Sequence, residues 1–324
     1  MKIFVTRKIP RQGLELLKKE HEIEVFPYDR VPTKKEIIHG IKGKEGLLCL
    51  LSDQIDAKVI NAEPNLRMIA NYAVGYDNID IKTATKKKIP VSNTPGVLTD
   101  ATAEMAWALI FSVARRIVEA DKFTRAGKFK GWGPMLMLGQ GVNNKTLGIV
   151  GAGRIGEAVA LKSRGFNMNI LYVDKIVNTT LEKELKAKKV DLVKLLKESD
   201  YVSLHVPLNK ETYHLIGEKE LKMMKKNAVL INTSRGPVIN EKALVKALKE
   251  KWIFGVGLDV YEHEPKISKD LKKLDNIVLQ PHSASATFES RTNMAIIAAK
   301  NMLAGLKGEI PPNCVNPEIF KIQK

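Results

Sequence analysis

Three glycines in the string Gly151-Ala152-Gly153-Arg154-Ile155-Gly156 follow the apolar run Leu147–Val150 and open the helical stretch Arg154–Arg164. That context suits a dinucleotide. The first glycine permits a tight turn, the second lets backbone approach a diphosphate, and the third lets helix and strand pack closely. A diphosphate placed there meets the unpaired N–H groups and the positive dipole end of a helix. About 20 residues further on, Asp174 ends the predicted strand Asn169–Val173, where a carboxylate can accept both hydroxyls of an adenosine ribose. The competing role for Asp174 is to cap its own loop.

Groups able to move a proton or hold an anion lie further along the chain. His282 follows Pro281, after the predicted strand Asn276–Leu279, and an imidazole can give or take a proton near neutral pH. A lone histidine after a proline is more often structural, so the residue by itself does not decide the matter. His21, His39, His205, His214 and His263 carry less support, although His205 lies beside the predicted cofactor strand. Arg235 offers a planar guanidinium fork, which can hold a carboxylate through two parallel hydrogen bonds. Glu262 and Glu264 are two carboxylates able to orient an imidazole.

The elements that must position these groups alternate along the chain. Strands are predicted at Lys2–Thr6, Glu22–Phe26, Gly46–Leu50, Arg67–Ala70 and near Pro90–Ser92, with helical segments such as Gly13–Lys19, Thr33–Ile41 and Ala57–Asn61 between them. One long helix is predicted from about Thr99 to Thr124, and Gly127–Gly141, with five glycines, Trp132 and Pro134, reads as a surface arm. A second series has strands at Thr146–Val150, Asn169–Val173, Asp200–Leu204, Ala228–Asn232, Phe254–Leu258 and Asn276–Leu279. Its helices are Arg154–Arg164, Leu192–Lys197, Glu218–Met223 and Glu241–Lys249, and a last helix runs from Thr287 to about Leu306. Strands alternating with helices predict parallel sheets covered on both faces.

Composition bounds the rest. A chain of 324 residues predicts two domains of about 150 residues each. With 44% hydrophobic and 27% charged residues it reads as a soluble globular protein, and no apolar run reaches the roughly 18 to 20 residues of a membrane span. The start Met1-Lys2-Ile3-Phe4-Val5-Thr6 reads as a strand and lacks a signal peptide's apolar region, so a cytoplasmic location and no membrane partner are expected. Cys49 sits in an apolar run and Cys314 has no neighbouring ligand, which predicts neither a disulfide framework nor a metal site. The net charge of +17 raises nucleic acid as a partner. The lysines are scattered, however, and the cluster Lys86-Lys87-Lys88 has no aromatic interleaving, so no nucleic-acid partner is expected. The positive field instead favours a small anionic substrate.

More specific strings occupy the C-terminal half: Asn232-Thr233-Ser234-Arg235-Gly236, Gly257-Leu258-Asp259-Val260, Glu262-His263-Glu264-Pro265 and Pro281-His282. With the glycine motif they resemble the D-isomer-specific 2-hydroxyacid dehydrogenase family, and the resemblance runs from Val5 to Asn316. Leu50-Leu51-Ser52-Asp53, Val74-Gly75-Tyr76-Asp77-Asn78, Thr94-Pro95-Gly96-Val97-Leu98-Thr99, Trp132-Gly133-Pro134 and Ser285-Ala286-Thr287 are most similar to the glyoxylate/hydroxypyruvate reductases within it.

The resemblance implies an α/β fold of two doubly wound parallel-sheet domains, with a Rossmann cofactor domain at residues 100–288 inserted into a flavodoxin-like substrate domain at residues 1–99 and 289–324. It implies reduction of glyoxylate or hydroxypyruvate to the D-2-hydroxy acid, and the reverse, with NAD preferred and NADP as the alternative. By the same resemblance Arg235 anchors the substrate carboxylate, His282 is the proton donor, and Glu264, the glutamate immediately before proline, is its partner. Leu51, Val74 and Gly75 join Arg235 and His282 around the substrate. Thr102, Gly151, Gly153, Arg154, Ile155, Gly156, Asp174, Pro207, Thr233 and Asp259, again with Arg235 and His282, line the cofactor. Asp259 is expected on the nicotinamide carboxamide, or else as a cap on the turn after its strand. Family members pair as homodimers, here through residues 100–145.

Two departures from the reductase pattern touch the substrate's surroundings: Ser283-Ala284 after the histidine, and Leu136 where a tryptophan often stands. Formate dehydrogenases carry glutamine in place of Glu264, and phosphite dehydrogenases carry lysine in place of Val74. The alternative from a different class is an NAD-sensing protein of the corepressor type, which can retain the same three residues.

Overall fold

The computed structural model describes residues 1–320, which fall into two compact units. One comprises Met1–Leu98 together with the chain from Ala286 onward, and the other comprises Thr99–Ser285.

The first unit is built on five parallel strands: β1 (Lys2–Val5), β2 (Glu22–Val25), β3 (Gly46–Leu50), β4 (Met68–Tyr72) and β5 (Val91–Ser92). Their order in the sheet is β2-β1-β3-β4-β5. Helices α1 (Arg11–Lys18), α2 (Lys34–Gly40), α3 (Ala57–Asn61) and α4 (Ile81–Lys86) make the crossovers that parallel pairing demands. Strands covered on both faces must be apolar throughout, and Ile3, Phe4, Val5, Leu47, Leu48, Cys49 and Ile69 are buried accordingly. Burial also pushes the Cys49 thiol well above its usual pKa. The C-terminal helix, Phe288–Lys307, returns to this unit. Gly13 lets it come close, since a Cβ there would lie 2.6 Å from the Ala295 carbonyl oxygen. The Tyr72 hydroxyl donates to the Arg291 carbonyl at 2.7 Å.

The second unit has seven parallel strands: β6 (Thr146–Val150), β7 (Asn169–Val173), β8 (Lys188–Lys189), β9 (Tyr201–Leu204), β10 (Val229–Asn232), β11 (Gly255–Leu258) and β12 (Ile277–Leu279). Their order is β12-β11-β10-β9-β6-β7-β8. Its helices are α5 (Thr99–Ala114), α6 (Ile117–Arg125), α7 (Arg154–Leu161), α8 (Thr179–Leu185), α9 (Leu192–Glu198), α10 (Glu218–Met223) and α11 (Glu241–Lys249). Most strands start or stop within a residue or two of the expected positions, but β8 consists of two exposed lysines that carry no apolar signal. The single helix expected over Thr99–Thr124 is in fact two. Arg116 takes a left-handed conformation (φ 53°) between α5 and α6 and bonds Glu119 through Nε at 2.8 Å. The returning arm takes up the carbonyl at the end of α5, with Gln140 N–H donating to Ala114 O at 2.8 Å. The arm itself forms neither helix nor strand, and Trp132 is 86% exposed. Among the described residues no helix is long and apolar enough to cross a membrane.

In this sheet the chain leaves β6 toward β7 on one side and comes back to β9 on the other, so a crevice opens at the carboxyl ends of β6 and β9. His205 follows β9 there, its N–H donating to Val150 O at 2.8 Å and its Nε2 lying 2.8 Å from Ser203 Oγ. Part of the residue reaches the surface, yet the ring is densely surrounded, and that desolvation lowers its pKa to about 3. The unfolded chain takes up this proton near 6.5, whereas the folded one resists it down to about 3. The contribution to stability is therefore complete above about pH 6.5 and is lost as the pH falls from there toward 3. His205→Gln, neutral throughout, should flatten the fall of the denaturation midpoint across that window. Equal pH slopes for the two proteins would show that the ring is not held neutral.

Candidate active site

The loop between β6 and α7 gives each of its glycines a different task. Gly151 has φ 95°, and a Cβ on it would lie 2.8 Å from the His205 carbonyl carbon. At Gly153 a Cβ would meet nothing within 4 Å, so the backbone there faces open space. At Gly156 it would lie 2.0 Å from the Gly151 carbonyl oxygen, which only glycine tolerates. No side chain caps the N-terminus of α7, the end suited to a diphosphate. Arg154 is exposed and Ile155 half-buried in its first turn.

Asp174 braces this loop: its Oδ2 accepts from Ala152 N–H at 2.7 Å and its Oδ1 from Ile176 N–H at 3.1 Å. Sequence reasoning missed a second brace, Asn178, whose Nδ2 donates to Ala152 O and to Glu157 Oε2, both at 2.8 Å. An asparagine just ahead of α8 was the available signal, and its Oδ1 does cap that helix at Leu181 N–H, 2.9 Å away. Thr102 is buried in the first turn of α5, Pro207 follows β9, and Thr233 is buried with its Oγ1 lacking a hydrogen-bond partner within the protein. An open glycine, an uncapped helix start and an orphaned buried hydroxyl on one unit fit a dinucleotide.

The loops after β10, β11 and β12 carry the candidate groups for chemistry, Arg235, Glu264 and His282. Buried Asn232 organises the first of them, donating to Arg235 O at 2.9 Å and accepting from Ser234 N–H at 3.0 Å. The Arg235 guanidinium donates to Ser234 O at 2.9 Å. Gly236 brings this loop against the next, since a Cβ there would lie 1.9 Å from the Tyr261 carbonyl carbon.

His282 and Glu264 are brought together, with Nδ1 and Oε2 2.9 Å apart. Glu264 Oε1 also accepts from Tyr261 N–H at 2.9 Å. Burial opposes the charge on Glu264, but the His282 hydrogen bond and charge, the Tyr261 N–H and the Arg235 charge outweigh it and hold the carboxyl below its usual pKa. Glu262, the other carboxylate considered for His282, pairs instead with His214 at 2.7 Å.

Asp259 is fully buried, with Oδ1 accepting from Ser283 N–H at 2.7 Å and Oδ2 from Ala284 N–H at 2.8 Å. Burial raises its pKa, against the pull of those two N–H groups and of the His282 charge. Its carboxylate thus caps a turn, though the turn beyond β12 and not the one after its own strand. Ser283 and Ala284, which depart from the reductase pattern, take part in this bond through main chain, which any residue but proline supplies.

Leu51, Val74 and Gly75 belong to the first unit, after the ends of β3 and β4. Asn93 Nδ2 donates to Val74 O and Asn71 Nδ2 to Gly75 O, both at 2.8 Å, so buried asparagine side chains fix the shape of that loop. Among the described residues no group of three or more His, Cys, Asp or Glu side chains is placed to hold a metal.

The family model described as "D-isomer specific 2-hydroxyacid dehydrogenase, NAD binding domain" matches residues 107–284. The chain is 55% identical to a glyoxylate reductase of Korarchaeum cryptofilum, over 99% of this chain and 98% of that one. It is 53% identical to a glyoxylate reductase of Thermococcus litoralis, over 98% of each. Among solved structures, a Thermus thermophilus protein superposes with a TM-score of 0.92 at 41% identity, covering 97% of this chain and 100% of that one. An NADPH-dependent glyoxylate/hydroxypyruvate reductase of Sinorhizobium meliloti, in complex with NADP and malonate, gives a TM-score of 0.88 at 28% identity, covering 100% of this chain and 99% of that one. The motif, the fold and relatives of equal length converge: the chain belongs to the D-isomer specific 2-hydroxyacid dehydrogenase family and is an oxidoreductase that uses a nicotinamide cofactor.

Proposed function

We propose that this enzyme reduces glyoxylate, and hydroxypyruvate as a second substrate, to the 2-hydroxy acid, and that Arg235, Glu264 and His282 carry the reaction. The observation that supports this best is the 2.9 Å bond from His282 Nδ1 to Glu264, which in this reading leaves the second ring nitrogen, Nε2, for the substrate. The cofactor, when bound, supplies the hydride that reaches C2. Arg235 holds the substrate carboxylate and draws electron density toward the carbonyl oxygen as negative charge grows there. His282, as imidazolium, passes its Nε2 proton to that oxygen, and Glu264 stabilises the imidazolium before transfer. In the reverse direction neutral His282 takes the hydroxyl proton. Leu51, Val74 and Gly75 are the further substrate contacts in this reading.

Turnover of glyoxylate and hydroxypyruvate, followed by NADH absorbance, tests the proposal. Arg235→Ala should lose about 3 to 5 kcal/mol in kcat/KM while still binding NADH, because a buried anion loses its counter-charge. His282→Ala should be slower by about 10² to 10⁴. Glu264→Gln withdraws the charge that favours imidazolium, so the alkaline limb of the reduction profile should move to lower pH. Near-normal kcat/KM in both Arg235→Ala and His282→Ala would refute the assignment.

NADH is the proposed coenzyme over NADPH. Asp174 would present a like charge to a 2′-phosphate, and Lys175, one cation that could offset it, is engaged with Glu211 at the surface at 2.5 Å. The clash should disfavour NADPH by about 1 to 3 kcal/mol, or about 5- to 150-fold in kcat/KM, and Asp174→Ala should narrow the gap. Equal efficiency with the two coenzymes would remove this part of the reading.

The proposed assembly is a homodimer through residues 100–145. Phe129, Trp132, Met135 and Leu138 stand 55%, 86%, 76% and 53% exposed on the arm, an apolar display that a second copy would cover. Sedimentation should find a dimer that Trp132→Ala with Met135→Ala pushes toward monomer. A wild-type monomer at micromolar concentration would overturn it.

A further inference from the structure

The string Glu262-His263-Glu264 sends its two carboxylates to two different histidines. Glu264 meets His282, whereas Glu262, with only 11% of its side chain exposed, lies 2.7 Å from His214 Nε2. The other oxygen of Glu262 accepts from Glu241 N–H at 2.8 Å, and the Glu262 N–H donates to Glu241 Oε2 at 3.2 Å. This second histidine is held as firmly as the first. Its backbone is left-handed (φ 51°), its ring stacks on Tyr213 with centroids 4.0 Å apart, and its Nδ1 lies 3.3 Å from Asn240 Nδ2.

The place of His214 in the fold gives the pair its meaning. Its N–H donates to Pro237 O at 2.8 Å, Ile216 N–H donates to Val238 O at 3.0 Å, and Asn240 N–H donates back to Ile216 O at 3.0 Å. One short segment therefore binds the loop that carries Arg235 through main chain and the loop that carries Glu264 through a side chain. Between those two loops there is no slack, because Gly236 is already against the Tyr261 backbone.

We propose that His214 and Glu262 are a positioning pair for the reaction, fixing the Glu264 loop against the Arg235 loop so that Glu264 stays on His282. The inference rests on the roles given above to Arg235, Glu264 and His282. A largely buried carboxylate that loses one of its donors moves toward water to recover the lost bond. Glu262 moves with its neighbours, and Glu264 is two residues away, anchored by the N–H of Tyr261. A displacement of about 1 Å at a reacting group can cost about 10²-fold in rate.

Around His214 stand the titratable groups Glu262, Glu241 behind it, Tyr213 stacked on its ring, and His263, whose Nε2 lies 4.0 Å from Glu262. Those facing His282 within the same unit are Glu264, Asp259 and, through Glu264, Arg235. His214 bonds neither Glu264 nor His282, so its proposed effect on His282 runs through the position of the loop.

His214→Ala, His214→Gln, Glu262→Gln and Glu264→Gln should be compared in the full-length enzyme for kcat, KM, NADH affinity and the alkaline limb of the reduction profile. His214→Ala is expected to lower kcat by about 10- to 100-fold with NADH affinity unchanged, and to move the limb to lower pH as Glu264→Gln does. His214→Gln, whose amide can still donate to Glu262, should restore most of the rate. If His214→Ala does not fold, the isosteric Glu262→Gln must show the same displaced limb. Loss of rate with the limb in place, or no loss at all, overturns the positioning role while a displaced limb in Glu264→Gln leaves the reading of the site intact. An undisplaced limb in Glu264→Gln itself would instead show that the reading beneath it is wrong.

Discussion

The candidate site in the second unit hangs on the buried carboxylate of Asp259. Both of its oxygens accept main-chain N–H groups from Ser283 and Ala284, and this ties the end of β11 to the turn after β12. A charge with no exposed surface is costly unless it is bonded on every side, so the turn is held with little tolerance. His282 sits immediately before those two N–H groups, in a left-handed conformation that a side chain other than glycine or asparagine adopts at a cost. The clamp meets that cost, and the ring is left in reach of Glu264. Without it, the turn that carries His282 would lose two of its main-chain hydrogen bonds.

Electrostatics and packing pull in opposite directions at this place, and the balance differs from residue to residue. Burial alone would raise both Asp259 and Glu264. Asp259, enclosed among main-chain donors, stays raised, whereas Glu264, close to His282 and Arg235, ends below its ordinary value. Two carboxylates on neighbouring loops thus serve different ends. One is a structural acceptor, and the other is a persistent negative charge beside an imidazole.

Much of this was legible in the sequence where a residue type has a single physical use. The glycine triad was legible because a left-handed turn at Gly151 and close packing at Gly156 exclude a side chain, while the Gly153 backbone faces open space. The pairing of Glu264 with His282 rested on the resemblance, since spacing alone could not separate Glu264 from Glu262. Other features left no local trace. The break at Arg116 is imposed by a distant segment, residues 139–140, returning onto the end of α5. Strand β8 is two lysines drawn into register beside β7. Asp259 was assigned to a ligand or to its own turn, and its main-chain partners within the protein lie 24 and 25 residues away on another loop. Tertiary contacts of that range carry no period for a sequence reading to detect.

The two places where the chain passes between its units, after Leu98 and after Ser285, bear on how the protein is made. The second unit is one continuous stretch and can close as soon as it has left the ribosome, in keeping with the tendency of domains to fold as units during synthesis. The first is interrupted. Its five strands are made early, yet Gly13 and Tyr72 face the helix Phe288–Lys307, which is made only after the whole second unit. Until that helix arrives, the part of the early sheet that it covers, chiefly β3 and β4, lacks its partner. A nascent chain therefore spends most of its translation with an unfinished host, and a premature stop just before Phe288 would leave the second unit whole while taking the covering helix from the first.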